Sequence, residues 1–577
     1  MDLLDGLDPS QHRAVTSSAA PLCIVAGAGS GKTRVLTRRI AHRIATNEAD
    51  PAHVLVLTFT RKAGAELRRR WWGLGVRDQV AAGTFHSVAY AQLRRRWADA
   101  GQLPPALLPR KARILRSIVQ LHDGERLADL AAEIDWAKAR ALTPAAYEEA
   151  ATRARRRPPR GAGHVAEVYE QYEAEKRRRG VLDLDDLLGV CAEALERDPA
   201  FAAAQRWRFR HLFVDEFQDV NPAQLRLLQG WLGDRSDLCV VGDPNQAISA
   251  WNGASPAVLT GFVDQFPGAE VIRLEANHRS TPEVVAAAAA VLGSTGGTGR
   301  ATRPEGSPPS VRRYETDLDE AAGIARAVRD SHPPGTAWSA VAVLARTNAQ
   351  LVPIEAALRA AGIPVRQRSA FLDHPDVKTA LSDLRRPNVA SLPLTAVLSD
   401  IEAMAAEEGA DEERRTALLE LVRLGREHVT LDERASPAGF GAWLASCLRG
   451  DGDGPGANAV ELATFHRAKG LEWPVVFLAG LEEGFVPIAG AHERPDLEDE
   501  ERRLFYVAIT RAVDRLACSW AATRTFGDRA VARQPSPWLA LVEHTAQELR
   551  PAPPPDAWRD QVAASRQALQ AAAARAS

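Results

Sequence analysis

The sequence predicts an α/β protein that carries a phosphate-binding loop. The apolar run Leu22–Val25 is typical of a buried strand, and a loop with three glycines and then a helical pattern follow it. Further apolar runs at Val54–Thr60, His211–Val214 and Leu238–Asp243 lead into polar or helical segments. Short buried strands that alternate with helices favour a parallel sheet with helices on its faces.

The loop after the first strand has the composition of a nucleotide-binding loop. Glycines at positions 27, 29 and 31 let backbone N–H groups surround phosphate oxygens, and the following helix adds its positive N-terminal end. Lys32 would reach the β- and γ-phosphates, and the hydroxyl of Thr33 would hold Mg²⁺. The residues expected to bind the nucleotide here are Ala26, Gly27, Ala28, Gly29, Ser30, Gly31, Lys32, Thr33 and Arg34.

Two features around this loop are less specific. Ala26 stands where the strict pattern has its first glycine, so an ordinary glycine-rich turn is the alternative interpretation. Gln11 precedes the loop, and its amide could bind the adenine edge through one acceptor and two donors. A surface glutamine at a helix start is an equally good interpretation of Gln11.

Acidic residues follow the third strand and indicate the second half of a nucleotide site. Asp215 would hold Mg²⁺ through water, and Glu216 would activate the water that attacks the γ-phosphate. The fourth strand runs to Asp243 and is followed by Gln246 and Trp251.

Composition limits the other classes of function. The 577 residues suffice for three or four domains, and no apolar run approaches the roughly 18 residues of a membrane helix, so we expect a cytoplasmic protein without membrane contact. The five cysteines lie far apart without a C-x-x-C pair, which favours buried thiols over a zinc site or disulfides.

The charge pattern allows two interpretations. The formal net charge of −2 does not favour a polyanionic partner, but basic runs lie at Arg68–Arg70, Arg94–Arg96, Arg153–Arg160 and Lys176–Arg179. A solvated helix face is the usual explanation of such a run. Four runs in the first third of the chain also fit a track for a phosphate backbone.

Nine segments in order resemble the motifs of the UvrD/Rep/PcrA group of superfamily 1A DNA helicases, and the resemblance extends from Leu7 to about Leu539. The segments are Gln11, Ala26–Thr33, Thr58–Lys62, Gly83–Ser87, Val214–Asp219, Val241–Ala254, Leu274–Thr281, Thr464–Glu472 and Glu500–Ala512. The resemblance implies two RecA-like P-loop domains, each with a largely helical insertion and with the nucleotide between them. It also implies an ATP- and Mg²⁺-dependent 3′-to-5′ DNA helicase or single-strand translocase of DNA repair or replication restart.

The resemblance divides the chain into seven segments. We expect domain 1A at 1–100 and 185–277, insertion 1B at 101–184, domain 2A at 278–380 and 459–548, a shortened insertion 2B at 381–458, and a Pro/Ala-rich tail at 549–577. The second insertion is about half as long as in the larger family members, which leaves the handling of duplex DNA in doubt.

For ATP, the resemblance implies contributions from both lobes. Gln246 would sense the γ-phosphate from the first lobe, while Arg279 and Arg511 would spread their charge over it from the second. Glu472 matches the ribose contact, and His278 stands where the family usually has the tyrosine that stacks on adenine. The residues expected to act in catalysis are Lys32, Asp215, Glu216, Gln246, Arg279 and Arg511.

For DNA, the resemblance implies a single strand that crosses both lobes, and single-strand/duplex junctions as further substrates. It also implies DNA-repair or RNA-polymerase proteins as partners. Core packing is the alternative for Phe59 and Trp251, as it is for the segment Ile134–Lys138 in the first insertion. The residues expected to bind DNA are Phe59, Thr60, Lys62, Thr84, His86, Trp251, His466 and Phe526.

The third family motif departs from its usual sequence at two positions. Ser249 replaces an aromatic residue, and Asn252 replaces an arginine. We expect both differences to weaken the binding of single strands, or the coupling of that binding to ATP hydrolysis, without abolishing hydrolysis itself. Together with the short second insertion, they favour a translocase that separates strands poorly; an adaptor with a vestigial ATPase is the third alternative.

Overall fold

The computed structural model contains two parallel β-sheets with helices on both faces, which confirms the α/β prediction. The structure describes residues 2–76, 80–108, 111–120, 127–158, 160–293, 299–332, 337–367, 375–384, 386, 389, 392–405, 418, 421–422, 425, 429, 436–437, 439–440, 458–526 and 529–549.

The elements in chain order are as follows. The strands are β1 (Leu22–Ala26), β2 (Val54–Thr58), β3 (Ala81–Thr84), β4 (Ala106–Leu108), β5 (Val181–Asp183), β6 (His211–Val214), β7 (Leu238–Gly242), β8 (Glu270–Leu274), β9 (Ala276–Asn277), β10 (Arg300–Ala301), β11 (Ser310–Thr316), β12 (Val341–Ala345), β13 (Val365–Gln367), β14 (Val460–Thr464), β15 (Trp473–Ala479), β16 (Ala512–Phe526) and β17 (Arg529–Ala532). The helices are α1 (Pro9–Thr16), α2 (Lys32–Ala45), α3 (Arg61–Gly73), α4 (Phe85–Asp99), α5 (Ala112–Ile118), α6 (Leu127–Ala139), α7 (Pro144–Arg153), α8 (Ala162–Arg179), α9 (Asp186–Arg197), α10 (Pro199–Arg208), α11 (Pro222–Leu232), α12 (Ala257–Thr260), α13 (Phe262–Gln265), α14 (Pro282–Leu292), α15 (Asp317–Asp330), α16 (Asn348–Ala360), α17 (Pro375–Asp383), α18 (Leu394–Ala405), α19 (Pro495–Ile509) and α20 (Leu539–Glu548).

The first lobe is built on a six-stranded sheet in the order β3-β2-β6-β7-β1-β8, and every neighbouring pair in it is parallel. Strands β2 and β7 are buried along their whole length, as expected for a sheet that is covered on both faces. The carboxyl ends of parallel strands meet at one edge of the sheet. That edge therefore carries the loop after β1 and the acidic residues after β6.

The second lobe is built on a sheet in the order β11-β16-β15-β12-β14-β13, with β17 antiparallel to β16. Its central strand β12 is entirely buried. Helix α14 packs on α19 and α20, and their apolar side chains form one cluster with those of β12 and β15. Helix α19 contacts the first lobe through Arg503, and the segment 276–280, which joins the two lobes, contacts the phosphate loop through Asn277.

Helices α5–α8 lie between α4 and α9 and have an apolar core of their own, which includes Ile134 and Trp136, 1% and 4% exposed. Lys138 lies among the carboxylates of Asp183 and Asp186, at 2.8 and 2.5 Å. The structure thus supports the packing interpretation of Ile134–Lys138. Lys111 and Lys176 also form ion pairs with these carboxylates. The ammonium groups of lysine side chains therefore neutralise the cluster Glu173, Asp183 and Asp186, which would otherwise resemble a metal site.

The second insertion lies largely outside the described residues. The described apolar side chains of α17 and α18 join the cluster that also contains the core of the first lobe. The predicted domain boundaries remain predictions, and the tail at 551–577 lies outside the described part of the chain.

The structure also bears on the predictions from composition. The four described cysteines are buried and free, as expected, whereas Cys447 lies outside the described residues. Most described guanidinium groups of the arginine runs bind nearby carboxylates, which favours solvated helix faces over a phosphate track; the pairs are Arg69 and Arg70 with Glu66, Arg96 with Asp198, Arg153 with Glu149, Arg156 with Glu133, Arg177 with Glu170, and Arg178 and Arg179 with Glu175. Among the described residues, no helix is long and apolar enough to span a bilayer.

Candidate active site between the two lobes

The loop after β1 has the backbone that its glycines predict. Gly29 and Gly31 have φ angles of +74° and +84°, and Gly31 caps the N-terminus of α2. Gln11 is buried beneath the loop, where its Nε2 donates to the carbonyl of Ser30 at 2.9 Å. A Cβ on Gly31 would approach that amide to 2.8 Å. Gln11 therefore supports the loop, and its contact with adenine stays a prediction.

The ammonium of Lys32 lacks a hydrogen-bond partner among the described residues, although its Nζ is buried. Its nearest counter-charge is the carboxylate of Glu216, at 3.7 Å. A buried ammonium without hydrogen bonds is costly unless a ligand satisfies it. Its position at the start of α2 fits a nucleotide phosphate as that ligand.

The two acidic residues after β6 have opposite electrostatic environments. Burial, and then the charge of Glu216, raises the pKa of Asp215. Burial opposes ionisation of Glu216 as well, but the cations Lys32 and Lys469 lower its pKa overall. Glu216 thus stays ionised at neutral pH in this arrangement of charges. The oxygen donors of Thr33 and Asp215 are of the type that Mg²⁺ prefers.

Glu216 is held in an unusual backbone conformation. Its φ of +51° lies in the left-handed region, which costs a residue with a Cβ about 1–3 kcal/mol. Its carboxylate accepts a hydrogen bond from Gln218 Nε2 at 2.5 Å, and Gln218 Oε1 accepts one from the N–H of Asp243. These bonds link the carboxylate to the next strand and fix its direction.

Two arginines enter the cleft from the second lobe. Arg511 is 1% exposed, and its guanidinium donates to the carbonyls of Val507 and Leu471, both at 2.9 Å, and to the hydroxyl of Thr510. Burial, and then the charge of Arg279, lowers the pKa of Arg511 to about 9. No carboxylate among the described residues forms an ion pair with it. A buried cation without a counter-ion fits an anionic ligand.

Arg279 contacts the residue that was expected to bind ribose. Its Nε lies 2.5 Å from the carboxylate of Glu472, whose side chain is half-exposed. The ion pair places both side chains at the same side of the cleft.

The segment that joins the two lobes binds the phosphate-loop backbone directly. Asn277 Nδ2 donates to the carbonyl of Ala28, and the N–H of His278 donates to the carbonyl of Gly29, both at 2.9 Å. A Cβ on Gly29 would lie 2.4 Å from Asn277 Oδ1, so only glycine permits this approach. The His278 ring bridges Asp8 and the hydroxyl of Thr302, at 2.9 and 3.1 Å. Its predicted stacking on adenine stays a prediction.

Lys469 is a cleft residue that motif comparison did not single out. From the second lobe it forms an ion pair with the buried carboxylate of Asp219 and donates to the carbonyl of Gln246 at 2.7 Å. The side chain of Gln246 in turn donates to Asp243 Oδ2 at 2.7 Å. The basic position in the segment Thr464–Glu472 was the only signal, and it does not name the partner.

Some of the residues expected to bind DNA cap helices or pack within the protein. The hydroxyls of Thr60 and Thr84 cap helices α3 and α4. Phe59 is half-buried against the first-lobe core, with its ring centroid 6.5 Å from that of Phe85. His466 is largely buried, and burial followed by two nearby cations lowers its pKa to about 4.

The remaining expected DNA contacts are only partly described. His86 lies at the start of α4 and is half-buried. The side chains of Lys62, Trp251 and Phe526 lie outside the described part of the structure, so all the DNA contacts stay predictions.

Comparisons with known proteins agree with this geometry. The model of the UvrD/REP helicase N-terminal domain matches residues 7–267, and that of the UvrD-like helicase C-terminal domain matches residues 272–387 and 394–523. The chain is 40% identical to ATP-dependent DNA helicase UvrD2 of Mycobacterium tuberculosis (strain ATCC 25618 / H37Rv), over 93% of this chain and 81% of that protein. It is 30% identical to DNA helicase II of Escherichia coli K12, over 95% and 89% of the two chains, and 30% identical to ATP-dependent DNA helicase PcrA of Leuconostoc citreum, over 94% and 85%.

Proposed function

The chain belongs to the UvrD-like helicase family, and on that premise we propose that it is an ATP-dependent DNA helicase that translocates on single-stranded DNA in the 3′-to-5′ direction. Its proposed cofactors are ATP and Mg²⁺, and its proposed substrates are single strands and their junctions with duplex. The polarity, a role in repair or replication restart, and repair or transcription proteins as partners come from the family resemblance.

The observation that carries the proposal is a pair of buried cations from opposite lobes of one cleft, neither of which is hydrogen-bonded to a carboxylate of the described residues. The Lys32 ammonium lacks hydrogen bonds, and the Arg511 guanidinium bonds only to uncharged oxygens of the described residues. A nucleoside triphosphate would supply anionic hydrogen-bond acceptors for both groups. Since one cation belongs to each lobe, the ligand would hold the lobes together, and its hydrolysis would release them.

In the proposed reaction, Glu216 would take a proton from the attacking water. Lys32, Arg279 and Arg511 would stabilise the charge that develops on the transferred phosphoryl group. Mg²⁺, held by Thr33 and Asp215, would neutralise phosphate charge when bound.

A translocase that moves along single strands and separates duplexes poorly is the second candidate. Asn252 favours the translocase, because its uncharged side chain offers no cation to a DNA strand and instead accepts a hydrogen bond from Asn221 Nδ2 at 3.3 Å. Both candidates require the same ATPase.

Strand displacement on 3′-tailed and 5′-tailed duplexes, with ATP hydrolysis measured in the same samples, tests the proposal. We expect displacement of the 3′-tailed duplex only, and its loss together with hydrolysis in Lys32→Ala. Arg177→Gln, which removes an exposed charge from α8, is the matched control and should behave as wild type. DNA-stimulated hydrolysis without displacement would favour the translocase, and displacement that persists in Lys32→Ala would refute the proposed site.

A further inference from the structure

The turn Ala250–Asn252, which follows Gln246 in the chain, contains no charged residue. Residues Ala250–Asn252 form a short 3₁₀ turn, and Asn252 occupies the position where an arginine was expected. The Asn252 side chain and carbonyl both accept from Asn221 Nδ2, the residue that caps α11. This turn therefore offers no cation to a nucleic acid from its own sequence.

Arg140, which directly follows α6 in the first insertion, lies against this turn. Its Nη2 donates to the carbonyl of Ala250 at 3.3 Å. A Cβ on Gly253 would lie 3.2 Å from its Nη1, so the guanidinium lies beside both Ala250 and Gly253. Gly253 has a φ of +82°, and its missing side chain is what lets the insertion approach.

The charge on Arg140 is not neutralised. Among the described residues it donates to the carbonyls of Trp136 and Ala250, and these two hydrogen bonds leave three of its five N–H groups for another acceptor. Its guanidinium carbon lies 4.3 Å from the centroid of the Trp136 ring, and that of Arg156 lies 4.7 Å from the same centroid. Arg156 is paired with Glu133 through two bonds of 2.8 and 2.6 Å, which leaves Arg140 as the net positive charge of this group.

The surroundings of Arg140 fit a cation that awaits an anion. Burial, and then the charge of Arg156, lowers the pKa of Arg140 to about 10, so the group is ionised at neutral pH but poorly compensated. Its side chain is half-buried, with the ring of Trp136 fixing the guanidinium plane. An arginine held this way loses little conformational freedom when it binds a phosphate.

We propose that Arg140 binds a backbone phosphate of single-stranded nucleic acid beside the turn Ala250–Asn252 and thereby supplies from the insertion the positive charge that Asn252 does not. This inference rests on the proposed function, since it requires a strand that passes the turn. It assigns the insertion a direct part in strand binding. It also implies that Asn252→Arg alone gains little affinity, because the new cation would face Arg140.

The test is the salt dependence of binding to a labelled oligo-dT, measured by fluorescence anisotropy between 50 and 200 mM NaCl without nucleotide. One lost phosphate contact should reduce the slope of log K against log[salt] by about 0.7, so the advantage of wild type over Arg140→Gln should fall about 2.6-fold across this range. Arg140→Lys should keep the wild-type slope. Arg177→Gln, which removes a carboxylate-paired charge from the same insertion, should keep it as well.

A charge transplant separates phosphate binding from a purely structural role. In the double variant Arg140→Gln/Asn252→Arg the cation returns to the turn, and we expect the wild-type slope to return with it. A wild-type slope in Arg140→Gln, or a loss of affinity that Asn252→Arg does not restore, would overturn the proposal and leave Arg140 as a bridge between two carbonyls. A wild-type chain that binds no single strand would overturn the proposed function too, whereas normal wild-type binding with an unchanged Arg140→Gln slope overturns the role of Arg140 alone.

Discussion

Replacing Lys469 with methionine should slow ATP turnover without unfolding either lobe. The change removes the ammonium that joins Asp219 and the carbonyl of Gln246 to the second lobe, while it keeps most of the side-chain volume. Asp219 is 4% exposed in its side chain, and without its partner its charge would be buried and uncompensated in the closed cleft. The open cleft would let water reach that carboxylate, so the variant favours opening.

The size of the effect is worked from the loss of one charge-assisted bond, the ion pair with Asp219. Hydrogen bonds to charged groups contribute about 1.5–3 kcal/mol each, which corresponds to about 10- to 150-fold in the closure equilibrium. Hydrolysis requires the arginines of the second lobe to reach the nucleotide, so kcat should fall by a similar factor. Nucleotide binding to the loop of the first lobe should change much less.

The assay is ATP hydrolysis at saturating oligo-dT, alongside equilibrium binding of a fluorescent nucleotide. Asp219→Asn provides the double-mutant cycle: if the two side chains act as a pair, Asp219→Asn/Lys469→Met should cost less than the sum of the single changes. A wild-type kcat in Lys469→Met, or additive effects of the two substitutions, would refute a closing role for this pair.

Three further changes probe other parts of the site. Gly29→Ala would force a Cβ to within 2.4 Å of Asn277 Oδ1 and should lower ATP turnover on the order of 10²-fold. The control is Gly362→Ala, which is also at positive φ but has no neighbour within 4 Å, and it should cost only about 1–2 kcal/mol of stability and leave turnover intact. Equal turnover in the two variants would contradict the steric argument. Arg511→Gln should reduce hydrolysis on the order of 10³- to 10⁵-fold in a steady-state assay, and a modest loss would show that this cation does not meet the γ-phosphate. The pKa of His466 is about 4 in the folded chain and near 6.5 in the unfolded chain, so the unfolded chain takes up the proton first as the pH falls. The free energy of unfolding should therefore fall by about 2 kcal/mol between pH 7.5 and 5. Urea unfolding of His466→Gln should lack this part of the fall, and a pH dependence identical to that of wild type would exclude the contribution of His466.

Local patterns sufficed for the parts of the molecule that depend on near neighbours in the chain. The strand before the phosphate loop, the glycines with positive φ and the acidic residues after β6 all follow from short stretches of sequence. The residue types at Lys32 and Glu216 likewise indicated their chemistry, and the structure places them within 3.7 Å of each other. The predictions of the strand and of the loop backbone succeeded because strand–loop–helix units dictate local backbone geometry, whereas the catalytic roles of Lys32 and Glu216 stay predictions.

Pairings between distant parts of the chain could not be predicted in the same way. Lys469 and Asp219 are 250 residues apart, and His278 meets Asp8 across 270 residues. Family resemblance gave His278 an adenine contact, but no pattern in the sequence reveals the carboxylate that its ring binds. The contact of Arg140 with the turn at Ala250 spans 110 residues and depends on how the insertion packs on the first lobe.

Helix α19 explains how nucleotide and strand could be linked mechanically. Glu500, on this helix, accepts a hydrogen bond from the N–H of Ala250 at 2.8 Å, and Arg503 donates to the carbonyl of Ala247 at 2.8 Å. Residues three apart lie on one face of a helix, so both side chains hold the backbone between Gln246 and the turn.

The same helix also holds the arginine of the cleft, because the carbonyl of Val507 in its last turn accepts from Arg511 Nε at 2.9 Å. A rigid helix that binds the turn at one point and the arginine at another must move both when the second lobe moves. Opening of the cleft would therefore withdraw Arg511 and shift the backbone at Ala250 in one step. Arg140 of the first insertion donates to the carbonyl of Ala250, and Glu500 of α19 accepts from the N–H of the same residue, so the turn is where the nucleotide cleft, the second lobe and the proposed phosphate contact meet.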